Sequence, residues 1–108
     1  MKNSDIVGSE KKERIEITGD GFSMVDDDFE ITLRRGKVEK TYHKSDLVHN
    51  VTIVGGEEQH EYYLIYDTSD FGVGTLTCIV TAYVPDTDFP DGIRTEIEKF
   101  PLTPIEPK

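Results

Sequence analysis

The sequence predicts an all-β fold, an antiparallel β-sandwich of about seven strands. Three observations carry this expectation. Apolar residues recur at every second position in several runs, most clearly at Phe29, Ile31 and Leu33. Turn signals such as Asp20-Gly21, Arg35-Gly36, Gly55-Gly56 and Pro90-Asp91-Gly92 separate those runs. No stretch of useful length carries its apolar residues at the period of a helix.

In chain order, residues 1–13 are polar and charged and are expected to form a flexible arm. Arg14 to Thr18 alternates, with Ile15 and Ile17 on one face, and reads as the first strand. After the polar break Asp26-Asp27-Asp28, Phe29, Ile31 and Leu33 oppose Glu30, Thr32 and Arg34, as in a strand with one wet face. Arg35-Gly36 is a hairpin tip, and the returning strand carries Val38, Lys40 and Tyr42 on one face. Its lysines suit a sheet edge, where charge discourages pairing with other molecules. Residues 43–50 read either as one helical turn over Asp46 to His49, capped by Ser45, or as plain loop. Val51 to Val54 is a short strand, Glu57 to His60 a polar loop, and Glu61 to Tyr66 a central strand with apolar residues on both faces. Gly74 to Val84 is expected to be the longest strand, with Leu76, Cys78, Val80, Ala82 and Val84 in line. Ile93, Thr95 and Ile97 mark the last strand, so the sandwich spans residues 14–100. Pro101, Pro104 and Pro107 then dictate an extended tail over residues 101–108.

At 108 residues there is room for one domain. Such a chain buries roughly two-thirds of its unfolded surface and needs no disulfide to do so. The single Cys78 permits no internal disulfide in any case. Twenty-two acidic against twelve basic residues give a net charge of −10, which disfavours nucleic acid and anionic membrane partners and suits a basic protein surface. Residues 1–13 hold no apolar core of the signal-peptide kind, and the apolar runs are too short to cross a bilayer.

The corner Asp67-Thr68-Ser69-Asp70-Phe71-Gly72-Val73-Gly74 joins two strands expected in different sheets. Asp67 and Ser69 can fold a local turn by bonding backbone N–H groups. Asp70-x-Gly72 followed by a strand holding Cys78 resembles the E–F corner of immunoglobulin-like domains, which makes the expected fold an immunoglobulin-like sandwich. The sequence departs from that pattern at Leu76, where a Tyr belongs, and it has no Trp and no second Cys. More of the chain is similar to small β-sandwich proteins of bacteriophage and prophage tail or baseplate gene sets: Asp28 to Leu33, Asp70 to Leu76 and Tyr83 to Glu96. That resemblance implies a virion building block or adaptor, made in a bacterial cytoplasm and assembled into a virion, with copies of itself or larger virion proteins as partners.

Candidate sites are few. Asp86, Asp88 and Asp91 are the one set of carboxylates spaced to suggest calcium, a hard cation served by several oxygens. Asp and Pro-Asp-Gly are equally what a tight turn requires, so the expectation is a loop with no cofactor. His43, His49 and His60 do not have zinc-ligand spacing, although His43 and His49 are close enough in sequence to meet across a loop. Cys78 lies on the apolar face of its strand and reads as core. Tyr62, Tyr63, Tyr66 and Tyr83 offer an aromatic platform for a sugar, but alternation places Tyr62 and Tyr66 opposite Tyr63. Phe89 and Ile105 are apolar residues in segments expected to be exposed, and are the candidate interaction residues. No nucleophile, base and orienting group can be named together. The expected function is therefore a non-catalytic assembly module that docks on protein partners, itself included. The alternative is a module reading a carbohydrate or host-surface ligand, with or without calcium.

Overall fold

The computed structural model describes residues 5–108. Strands hold 58% of the chain and helix 6%, which makes the protein all-β and sandwich-like, with two antiparallel sheets. One sheet runs in the order β4-β3-β7-β8, built from β3 (Phe29–Arg35), β4 (Val38–His43), β7 (Thr77–Pro85) and β8 (Ile93–Pro101). The other runs β2-β6-β5, built from β2 (Glu10–Ile15), β5 (Val48–Val54) and β6 (Glu57–Asp67). Their inner faces share a core of Phe29, Ile31 and Leu33 from β3, Tyr62, Leu64 and Tyr66 from β6, Leu76 just before β7 and Cys78 within it.

The β3–β4 hairpin and its inward set of Val38, Lys40 and Tyr42 follow the expected alternation, since these residues stand opposite Arg35, Leu33 and Ile31. Lys40 is exposed but not free. Its ammonium reaches Asp70 Oδ2 at 3.2 Å and fastens the edge strand to the corner. In that corner Asp67 accepts bonds from both the N–H and the O–H of Ser69, which hold its carboxyl below the usual range. Arg35 Nε donates to the Phe71 carbonyl at 2.5 Å, and its side chain passes beneath Gly74.

Several expectations need correction. Residues 5–13, read as part of a flexible arm, supply β1 (Asp5–Ile6) and most of β2; residues 1–4 of that arm lie outside the described residues. The first strand ends at Ile15 and starts at Glu10, because its partner is β6, from Asp67 opposite Glu10 to Tyr62 opposite Ile15. Backbone pairing recruits the charged run Glu-Lys-Lys-Glu-Arg, whose hydrophobic pattern is silent. The tail is also tied down: β9 (Ile105–Glu106) pairs in parallel with β1, and Ile105 is 2% exposed within the core. Ile105 therefore cannot be an exposed interaction residue.

The polar stretch Glu57 to His60 is strand, not loop, and β6 rather than β7 is longest, at eleven residues. Gly55-Gly56 causes this: both take positive φ (61° and 83°), the geometry of a two-residue type I′ turn, so Val54 pairs directly with Glu57. The ambiguous 43–50 region resolves into one 3₁₀ turn at Lys44–Asp46, closed by the His43 N–H donating to Asp46 Oδ2 at 2.9 Å, with β5 beginning at Val48. Finally, β8 runs on to Pro101, and its apolar residues Ile93 and Ile97 lie on the outer face. Register decides this. Ala82 and Val80 stand opposite Glu96 and Glu98, so the carboxylates share the face of the core.

Candidate functional site

The sheets do not close along the side where β2 faces β8. Inward positions there are Lys11, Glu13 and Ile15 on β2 and Arg94, Glu96, Glu98 and Phe100 on β8. Solvated carboxylates do not interdigitate as aliphatic side chains do, since burying them without partners costs several kcal/mol each (roughly, by desolvation). The result is a cleft of about 450 Å³ between the sheets. Leu33, Leu64, Tyr66, Cys78 and Val80 form its apolar floor, while Glu13, Glu16, Glu96 and Glu98 contribute acidic groups. Its size falls within the span of small-ligand pockets, about 300–1,000 Å³.

The cleft is predominantly acidic, with Arg14 the one cationic residue among those lining it. Arg94 Nε lies 3.1 Å from Glu96, and Lys11 Nζ lies 4.0 Å from Glu13. Among the described residues Glu16 and Glu98 have no ion-pair partner. The field reaches the floor. Burial pushes the Cys78 thiol up to about 11, and the Glu13 carboxylate adds to that shift. Tyr66 is raised by burial first and then by Glu13 and Asp5. Cys78 is consequently a neutral thiol near pH 7, and no histidine lines the cleft beside it.

The acidic loop is arranged as a turn. Asp86 Oδ1 accepts from the Asp88 N–H at 3.0 Å, Asp91 Oδ1 accepts from the Ile93 N–H at 3.1 Å, and Asp86 Oδ2 pairs with the Arg94 guanidinium. Two of the three carboxylates are thus engaged by local donors. Among the described residues no three His, Cys, Asp or Glu side chains are grouped to hold a metal ion. Phe89 caps the loop and is 42% exposed.

The histidines assemble differently from the expected His43–His49 encounter. His49 Nε2 lies 2.8 Å from His60 Nδ1, and His60 Nε2 lies 2.9 Å from Glu58 Oε2. In the β5–β6 ladder His49 stands opposite Tyr62 and His60 opposite Val51, which makes the two histidines diagonal neighbours on one face. His49 also stacks on the Tyr62 ring at 4.2 Å. His43 points elsewhere, with Nδ1 3.4 Å from Glu30 Oε2. The tyrosines form no single platform. Tyr62 and Tyr66 are buried, whereas Tyr63 and Tyr83 lie on the outer faces of different sheets.

Sequence reasoning missed the cleft. Its one available signal was the alternation in Ile93 to Phe100, where two sets of residues compete for the inner face; only the register with β7 selects between them. No family model, curated protein or solved structure matches the chain. Among the described residues no helix is long and apolar enough to cross a membrane.

Proposed function

We propose that the chain is a non-catalytic assembly module that docks on protein partners, of the kind its sequence resembles in phage and prophage tail or baseplate gene sets. The observation that supports this most is the outer half of the β5–β6 hairpin. Val51, Ile53 and Val54 are 48%, 66% and 62% exposed there, at the end of a ladder that runs past the core. The body is correspondingly elongated, 48 × 39 × 22 Å. Its radius of gyration is 15.9 Å, against about 13 Å for a compact domain of this length. An apolar strand end held clear of its own core is suited to a neighbour's surface. Phe89 in the acidic loop is a second exposed anchor. A virion component of this class would be made in the bacterial cytoplasm and leave it only on assembly.

The immunoglobulin-like reading extends to the two layers and to the corner at Asp67 to Gly74. Strand pairing departs from it, because β3 and β4 form a hairpin within one sheet, whereas the corresponding second and third strands of immunoglobulin domains belong to different sheets.

Light scattering over a concentration series tests the assembly reading. A fixed oligomer or ring that V51D/I53D dissolves, with the melting temperature unchanged, is the expected result. A chain that is monomeric throughout, and unaltered by those substitutions, counts against it.

A ligand-reading module is the second reading, and the cleft favours it, as the tyrosines and the acidic loop present no shared surface. Calorimetry with calcium and a glycan panel separates the two. Saturable heat that Leu64→Trp abolishes by filling the cleft would favour the ligand reader.

A further inference from the structure

We propose that the cleft beside β8 is the seat of an extended segment from a basic protein partner, which adds a strand to the free edge of β8 and directs Lys or Arg side chains at positions i and i+2 toward Glu96 and Glu98. This rests on the assembly reading and names the class of partner.

Three observations converge on it. The first is the backbone. β8 is nine residues long and among the described residues pairs only with β7, which leaves a row of donors and acceptors along its other edge. Strand addition uses such an edge. The second is the side-chain face. An added strand places alternate residues directly opposite Glu96, Glu98 and Phe100 on the inner side. Opposite charges are favoured in such cross-strand pairs, and like charges are penalised. The third is the shape of the space. The cleft has acidic groups above an apolar floor, and a Lys or Arg side chain has a cationic head on an aliphatic stem. The stem covers Val80 and Leu33 while the head meets a carboxylate.

Inward-pointing charges on an edge strand ordinarily serve to prevent pairing between copies. Here that protection is selective. A second copy of this chain, with net charge −10, is repelled by Glu13, Glu96 and Glu98, whereas a basic strand is attracted by the same groups. The edge is closed to the chain's own kind and open to a cationic partner. Self-association, where it occurs, uses the β5–β6 hairpin instead.

The test uses the full chain and a capped nine-residue peptide alternating Lys and Thr, which presents every Lys on one face when extended. Controls are a peptide of the same composition with Lys and Thr in separate blocks, the alternating peptide N-methylated at every second residue along one edge, and decyltrimethylammonium below its micelle concentration. Fluorescence anisotropy is expected to show the alternating peptide binding about tenfold more tightly than the block peptide, an advantage lost in E96Q/E98Q and on N-methylation. Equal binding of the alternating and block peptides would overturn the proposal in favour of diffuse attraction to an acidic surface. Saturable binding of the amphiphile with no effect of N-methylation would overturn it in favour of a small-molecule cleft. No binding of the alternating peptide would also overturn it. The N-methylated peptide needs no protein variant, so the strand-addition arm stands even where E96Q/E98Q perturbs folding. Failure here together with hairpin-dependent oligomerisation removes the cleft partner alone and leaves the assembly reading in place.

Discussion

Gly74 and Ile105 exchange both of their backbone hydrogen bonds, at 2.9 Å and 2.7 Å, and so join the corner after β6 to the far end of the chain. The Ile105 side chain lies in the core with Leu64 and Tyr66 on one side of the fold and Leu76 on the other. A segment that the prolines mark as extended thereby gives the interior one side chain, Ile105.

Ile105→Ala should therefore destabilise the protein by about 2–5 kcal/mol, the range for emptying a buried aliphatic site. Urea denaturation followed by circular dichroism measures it. A loss within about 0.5 kcal/mol, the range of surface substitutions, would mean that the tail is not held in solution as it is in the structure.

Gly74 has φ +133°, and a Cβ on it would sit 2.8 Å from Arg35 Cδ. Gly74→Ala should cost about 1–3 kcal/mol through backbone strain, with a further part from the displaced arginine. Arg35→Ala in the same chain relieves the contact but not the dihedral. Partial, incomplete rescue in a double-mutant cycle is the expected outcome.

Cys78 has its thiol raised from 9.0 to about 11, so the folded state holds the proton more firmly than the unfolded state does. Its stabilising contribution is complete below the unfolded value and is lost as pH rises toward about 11. Denaturant midpoints measured from pH 8 upward should fall across that window. Cys78→Ala should lower the whole curve and flatten the decline.

Replacing Glu96 and Glu98 together by Val should remove the charges that guard β8. The expected consequence is concentration-dependent association through the newly apolar edge, seen by sedimentation velocity. A double variant that remains as dispersed as the parent would show that the edge is protected by other means.

Much of the fold was legible where alternation and burial coincide. Phe29, Ile31 and Leu33 mark β3 because one face of that strand meets the core and the other meets water. The line of Leu76, Cys78, Ala82 and Val84 was equally clear. β2 was not, because Glu10 to Arg14 is held by the β6 backbone and brings no apolar residue of its own until Ile15. Hairpin extent was similarly hidden. Glu57 to His60 is as polar as any loop, and only the left-handed pair Gly55-Gly56 requires it to be strand. At the cleft the difficulty was one of choice between faces: Ile93 and Ile97 are the more hydrophobic set, yet the register with β7 turns them outward. His49 and His60 are eleven residues apart and became neighbours only through the ladder.

The parallel pairing of Asp5–Ile6 with Ile105–Glu106 has a practical consequence. Asp5 and Ile105 are direct neighbours and the two strands run in the same direction, so a glycine-rich linker from Glu106 to Asp5 has only to return along a two-residue pair. A circular permutant opened at the Gly55-Gly56 tip should then retain the native sheets while freeing the hairpin strands to carry fused cargo.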